Sequence, residues 1–394
     1  MGRKNMVIGL MLIVLSFTPV MGTKNADAEE LKIGAYLALS GAGAPWGIAS
    51  QRGIEMARDD LNAMGGITVG KTRYTIKTIA YDHKYTSEGG LDAVNRLIFE
   101  DKVKFIGMTF GTGPNLAGLS VSEPNKVLHI TIASGAGLLG PDKPFSFRTL
   151  MGAPEYMPGL FRWLRKKYPE AKTVALLERD DAWGRDVSKI GRKTIEAQGM
   201  KVVYDDFFKI GTSDFSPWLT KVIASKADIL ENTGTAVGEG SAIIKLARQL
   251  GYKGIIATSV IAPAETILKI ATPEFAEGAI SVLSIVWEPD DPNLTPKQRE
   301  FAKKYVEKFK EPMPSLAPLG YDNIMMLTTA MKKANSLDPA VVRDVIPTLE
   351  YDLLQGKARF GGEESYGIRR QIIMPMPIIQ CVGGKFCLVG VEMP

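Results

Sequence analysis

Leu31-Lys32-Ile33-Gly34-Ala35-Tyr36-Leu37-Ala38-Leu39-Ser40-Gly41 is the stretch that decides the fold. Residues 31–38 are a short, nearly unbroken apolar run of the kind a strand buried on both faces needs. Small and turn-forming residues follow, and then Ile48, Ile54, Ala57, Leu61 and Met64 recur near helical spacing until Gly65-Gly66 stops them. Working outward, residues 73–81 alternate as a strand and 90–99 carry a helix. Residues 103–108 are a strand, 114–122 a short helix and 127–132 another strand. Strand and helix in strict alternation with short connections predict a doubly wound α/β unit. The cycle then restarts. Helices are expected at 158–167, 187–198, 216–224 and 241–250, and strands at 173–177, 201–207, 227–230 and 254–258. After a strand at 279–286 come helices at 296–309, 318–334 and 339–349, and the tail from 369 to 391 has the pattern of a β-hairpin. Two α/β lobes, with the chain passing between them more than once, is the economical architecture.

The first residues speak to compartment. Arg3 and Lys4 precede an apolar run at residues 6–21, and Ala26-Asp27-Ala28 supplies a small-x-small pattern. That order is a secretory signal, with cleavage expected near Ala28 and release into the periplasm. A membrane anchor is the alternative, but the run holds Ser16, Thr18 and Pro19 and falls short of the roughly 20 residues a spanning helix needs. The remaining chain is too long for one ordinary core and suits two lobes. A net charge of +5 over 394 residues, with no Lys/Arg block, excludes a nucleic-acid partner or a polybasic membrane patch. The two histidines, His83 and His129, and the two cysteines form no ligand spacing, so no metal is expected.

Cys381 and Cys387 flank Val-Gly-Gly-Lys-Phe, where Gly383-Gly384 reads as a hairpin turn. With a three-residue loop at 383–385 the cysteines face each other and a disulfide follows. With a two-residue loop they are out of register.

Longer motifs carry a family resemblance. The opening stretch, then Trp46-Gly47, Gly53-Ile54-Glu55-Met56-Ala57 and Asn62-Ala63-Met64-Gly65-Gly66-Ile67, resemble the leucine/isoleucine/valine-binding type of periplasmic solute receptor. The match continues in order through residues 103–107, Phe147-Arg148-Thr149, Asp181-Ala182-Trp183-Gly184-Arg185 and Gly320-Tyr321-Asp322. The resemblance implies a type I periplasmic binding protein, in which two Rossmann-like doubly wound lobes are joined by a three-segment hinge. Lobe 1 is expected at 29–148 plus 281–366, and lobe 2 at 149–280 plus 367–394. It also implies a monomer that captures a small solute in the cleft and delivers it to an ABC permease in the inner membrane, with no cofactor.

Ligands of open α/β sheets sit beyond the C-terminal ends of the strands, where helix N-termini offer free N–H groups to an anion. Phe110-Gly111-Thr112-Gly113, ahead of a helix opening at Pro114, is such a loop, although a plain strand–helix turn explains its glycines equally well. The resemblance implies that Gly111 and Thr112, with Ala133-Ser134-Gly135 after the next strand, hold a carboxylate. Amino-acid binders carry a Thr where this chain has Gly135, leaving Ser134 to supply the hydroxyl. Ser40 joins the ligand set from the first loop. Trp46, in that same loop, and Trp183, at a helix start in the second lobe, make an aromatic clamp, one from each side. Trp163, Trp218 and Trp287 are expected in ordinary packing. The partner for a solute ammonium is less well matched. Alignment offers Ala264 with Glu265 beside it, and Ala236 or Val237 where relatives have Tyr. Glu239 lies near a helix start, where it serves equally as a capping charge. These departures leave a carboxylic acid without an amino group as an alternative solute. Arg148 and Asp322 are expected as solvated or ion-paired hinge residues, and Asp82 as a loop cap near the cleft mouth.

An enzyme would need a nucleophile with its base, a metal set or a cofactor loop. The chain has no Gly-x-Ser-x-Gly elbow and no phosphate loop, and Gly111-x-Gly113 lacks the third glycine of a dinucleotide fingerprint. A receptor that closes about its hinge is the expected mechanism. A ligand-sensing regulator of the same fold is the remaining class.

Overall fold

The computed structural model describes residues 1–2, 28–285, 287–290 and 294–394. The expected secretory signal falls, apart from residues 1–2 and Ala28, on residues 3–27, which lie outside the described residues. Two sheets organise the rest. The first runs, edge to edge, Tyr351–Leu353, Gly356–Gly361, Gln371–Ile373, Ser146–Arg148, Leu128–Thr131, Phe105–Thr109, Glu29–Leu37, Thr72–Asp82 and Ile67–Val69. The second runs Lys385–Glu392, Met376–Val382, Ile280–Val282, Ile255–Thr258, Ile229–Asn232, Thr173–Arg179 and Lys201–Phe208. Each sheet is parallel at its centre, as the alternating strand–helix pattern requires; the first is antiparallel at both margins and the second only at the margin formed by Met376–Val382 and Lys385–Glu392. Glu29–Leu37 is buried almost throughout because helices cover both faces of the first sheet.

The chain crosses between sheets three times, after Arg148, after Val282 and after Ile373. The last two crossings differ from the expected boundaries. Ile280–Val282 pairs with Ile255–Thr258 in the second sheet, and Gln371 pairs with Arg148 in the first. Residues 369–391 are therefore not one hairpin, because their first strand belongs to the other lobe.

The hairpin proper joins Met376–Val382 to Lys385–Glu392 through a two-residue turn. Gly383 and Gly384 have φ of 60° and 76°, the left-handed pair that a tight primed turn needs. Cys381 is then opposite Phe386, and Cys387 opposite Gln380. Both thiols are free, Cys381 buried and Cys387 exposed, which corrects the disulfide expected from a longer loop. Adjacent strand positions point to opposite faces, so a register offset of one separates the two sulfurs.

Helix starts account for other differences. Ala44–Ala63 begins early because Pro45 suits the first helical turn, so Trp46 belongs to the helix and not to the preceding loop. Ala182–Ala197 likewise starts five residues before the apolar periodicity does, capped by the Asp181 side chain on the Gly184 N–H at 2.8 Å. Trp163 and Trp218 pack within lobe 2 and Trp287 packs against the Met56–Phe301–Tyr305 cluster.

Candidate ligand site in the interlobe cleft

Seven parallel strands aim their C-terminal ends at one space. From lobe 1, the end of Glu29–Leu37 leads to Trp46, Thr72–Asp82 to Tyr85, Phe105–Thr109 to Phe110, Gly111 and Thr112, and Leu128–Thr131 to Ile132, Ala133 and Ser134. From lobe 2, Thr173–Arg179 ends on Arg179 and leads to Trp183, Ile229–Asn232 to Thr235 and Ala236, and Ile255–Thr258 to Val260 and Ile261. With Leu316 these residues line a cleft holding about 610 Å³ of empty space, its open mouth included.

The two tryptophans reach the cleft by the same device. A Cβ on Gly47 would fall 1.8 Å from the Ala38 carbonyl oxygen, and one on Gly184 2.0 Å from that of Arg179. Only glycine lets each helix start settle on the strand end it follows, and the Trp one residue earlier is thereby turned to the cavity. On lobe 1, Trp46 lies 6.3 Å from Phe110 and 6.5 Å from Tyr85, ring centre to ring centre. On lobe 2, Trp183 leans on buried Tyr156 at 6.1 Å.

Polar groups line one wall. The helix Thr112–Ser122 opens on the cavity, with Gly111 at φ 83° before it and Asn115 Nδ2 donating back to the Gly111 carbonyl at 2.8 Å. Ala133 N–H donates to Thr131 Oγ1 at 2.9 Å, which shapes the loop carrying Ser134. A helix N-terminus beside a hydroxyl is chemistry suited to a carboxylate. On the facing wall the Arg179 guanidinium is held by Asp181 (Nε donating to Oδ2 at 2.6 Å) and by Glu239 at 3.6 Å. Burial pulls Arg179 down, but Asp181, Tyr85 and Glu239 outweigh it, and the guanidinium stays charged. Tyr85 of lobe 1 and Arg179 of lobe 2 interact across the cleft. Beneath Tyr85, burial pushes the His83 imidazole down to about 4, so a neutral ring accepts the Tyr85 N–H on Nδ1 at 2.9 Å.

Of the ten expected ligand residues, Trp46, Gly111, Thr112, Ala133, Ser134 and Trp183 line the cavity. Four do not. Ser40 is exposed and donates to Asp82, which also accepts the Leu39 and Lys84 N–H groups and so ties down the first loop. Gly135 lies behind the wall, where a Cβ would strike Thr112 Cγ2 at 2.4 Å, and its carbonyl faces Arg148. Glu239 caps its own helix through the Ala236 N–H at 3.1 Å and pairs with Arg179. Glu265 sits exposed in the first turn of Ala264–Ala276. No carboxylate side chain lines the cavity among the described residues. Of the two hinge residues, Arg148 is ion-paired as expected, fully buried with Nη2 3.5 Å from Glu155 Oε2, whereas Asp322 is buried and forms no ion pair among the described residues but accepts the Leu354 N–H on both oxygens. Tyr85, Arg179 and Thr235 were not foreseen, although each follows or ends a parallel strand, and that rule would have flagged them.

Two α/β lobes with an enclosed cavity at the strand ends, crossed by three chain segments, define a bilobed solute-binding protein. Comparison with known proteins gives its family. Residues 30–385 match the family model described as periplasmic binding protein, and the chain belongs to that family. It is 25% identical over 363 residues to an "Amino acid binding protein" of Pseudomonas aeruginosa, covering 88% of this chain and 90% of that one. The leucine-binding protein LivK of Thermotoga maritima shares the fold at TM-score 0.79 and 22% identity, covering 92% of this chain and 99% of that one. A solute-binding protein from R. palustris, solved with benzoate, shares it at TM-score 0.74 and 18% identity, covering 93% and 97%. Family membership implies an extracytoplasmic location, a small-molecule ligand and a permease partner, and its members bind substrates rather than convert them.

Proposed function

We propose that this protein is a periplasmic receptor, exported by cleavage near Ala28 and acting as a monomer without catalysis. It holds a small carboxylate-bearing solute between its lobes and delivers it to an ABC permease in the inner membrane. The observation that carries the reading is one cavity with an anion-suited wall, Gly111–Thr112 and Ser134, and an aromatic clamp, Trp46 and Trp183, split between the lobes. A solute touching both walls favours the closed arrangement by its differential affinity. The amino-acid relatives favour a branched-chain or other hydrophobic amino acid. A second reading, a carboxylic acid without an amino group, draws on the absence of a lining carboxylate among the described residues and the presence of Arg179. The lobes divide at the three crossings, near 148, 282 and 373.

A thermal-shift panel on protein unfolded, washed free of solute and refolded tests both readings. It holds branched-chain and aromatic amino acids, the matching deaminated acids and benzoate. A ligand at a thousand-fold excess over Kd adds RT ln(1 + [L]/Kd), about 4 kcal/mol. A shift with amino acids alone supports the first reading, and a shift with the acids alone supports the second. No shift with any member argues for a regulator reading a different solute.

A further inference from the structure

Arg148 is the largest fully buried side chain among the described residues, and it does not line the solute cavity. A charge taken wholly out of water is tolerated only when its donors are matched, and these matches reach across the hinge. Arg148 closes the strand Ser146–Arg148, where the chain first leaves lobe 1. Its Nη1 donates to two carbonyls, Ser134 O at 2.9 Å and Gly135 O at 3.0 Å. Its Nε donates to Gln371 Oε1, on the strand just before the last crossing. Its Nη2 faces Glu155 Oε2 at 3.5 Å, in the first turn of the lobe 2 helix Ala153–Lys167. The Tyr366 ring lies 4.6 Å beneath the guanidinium, and its hydroxyl donates to the same Glu155 oxygen at 3.0 Å. Glu155 Oε2 also accepts the Gly152 N–H at 2.9 Å, within the first crossing.

We propose that Arg148 is a positioning residue that couples the hinge to the solute loop Ser134–Gly135, so that lobe rotation and loop geometry change together. The proposal rests on the reading that this loop faces the solute. In a trans peptide the C=O and the following N–H point in opposite directions. Holding the Ser134 carbonyl on the guanidinium therefore turns the Gly135 N–H away from it. The guanidinium is a rigid planar fork, so a shift of Glu155 at one end is transmitted to the two carbonyls at the other. Glu155 moves with lobe 2, whereas Ser134 and Gln371 belong to lobe 1, so any rotation about the first crossing acts on this pair.

The test is amide hydrogen exchange on the purified protein and on Glu155→Gln, a variant in lobe 2 that leaves every lobe 1 partner of Arg148 in place. The coupling predicts at least tenfold faster exchange at residues 135–137 as well as at 152–156, with the strands of the second sheet unchanged. Acceleration confined to 152–167, or spread evenly over the protein as general destabilisation would give, overturns it. Arg148→Lys keeps the charge but cannot span both carbonyls, and at least tenfold weaker binding of L-leucine or benzoate is expected. Wild-type affinity in that variant also overturns the proposal. Coupled exchange in a protein that binds neither probe upholds the hinge–loop link and counts instead against the solute reading.

Discussion

Trp183 tests the cavity one side chain at a time. It is half-buried at the start of Ala182–Ala197 and leans on Tyr156, while the helix holds its place through Gly184 and the Asp181 cap. Replacing it with Ala removes a wall of the cavity and no part of either sheet core. We expect Trp183→Ala to weaken solute binding by about 30-fold, about 2 kcal/mol, with unchanged secondary structure by circular dichroism. Equal affinity in titration calorimetry would remove Trp183 from the site. The aromatic residue in a Trp-Gly pair was legible in the sequence. Arg179 was not, because a charged residue ending a strand looks like any solvent-facing terminus until Asp181, Glu239 and Tyr85 gather around it.

Behind Thr235, two strands bring their carboxyls together. Glu178 lies one residue before the end of its strand, two positions beyond the Leu176 that pairs with Glu231, and both glutamates are fully buried. Glu178 Oε2 accepts the Gly234 N–H and Glu231 Oε1 the Thr233 N–H, each at 2.8 Å, so this pair shapes the turn that feeds the cavity. Burial pushes Glu178 well above the usual carboxylate range, and the charge of Glu231 adds to it. Burial raises Glu231 too, so the pair as a whole holds on to a proton. The folded protein then keeps a proton that the unfolded chain releases near 4.5, and this pair's contribution to stability falls as pH rises above that value. Glu178→Gln mimics the protonated form and removes the slope. Its unfolding free energy should gain on wild type as pH rises above about 5, on the order of 1 kcal/mol per pH unit. Parallel curves in calorimetry across that range would show that no proton is held there. Alternation along each strand forecast the sheets but not this meeting, which depends on strands far apart in sequence becoming neighbours.

At the scale of the molecule, three crossings of the chain make one hinge, and the cavity exists only where two sheets point their C-terminal ends at each other. Tyr85 and Arg179 already interact from opposite walls. Closure about the hinge buries the solute, so adding the ligand found in the thermal-shift panel should lower the radius of gyration in small-angle scattering, with no change in mass. An unchanged radius together with a clear thermal shift would mean that the lobes are closed before the solute enters. The placement of the last two crossings was beyond reach of local pattern. Ile280–Val282 and Gln371–Ile373 are short strands whose lobe is set by the neighbour each finds, Ile255–Thr258 for one and Ser146–Arg148 for the other.

By itself the sequence determined what local physics controls: the alternation of strand and helix, the two lobes, the two Trp-Gly pairs as cleft candidates, and the strand-end loops around Gly111 and Ser134. Periodicity, capping and turn chemistry act over a few residues, and a few residues suffice to read them. The tertiary structure alone decided which groups meet: that Arg148 is buried between Ser134, Gln371 and Glu155, that Glu239 serves Arg179 and its own helix, and that a two-residue turn keeps Cys381 and Cys387 apart. Register, burial and partner choice depend on segments distant along the chain, and no short stretch carries that information.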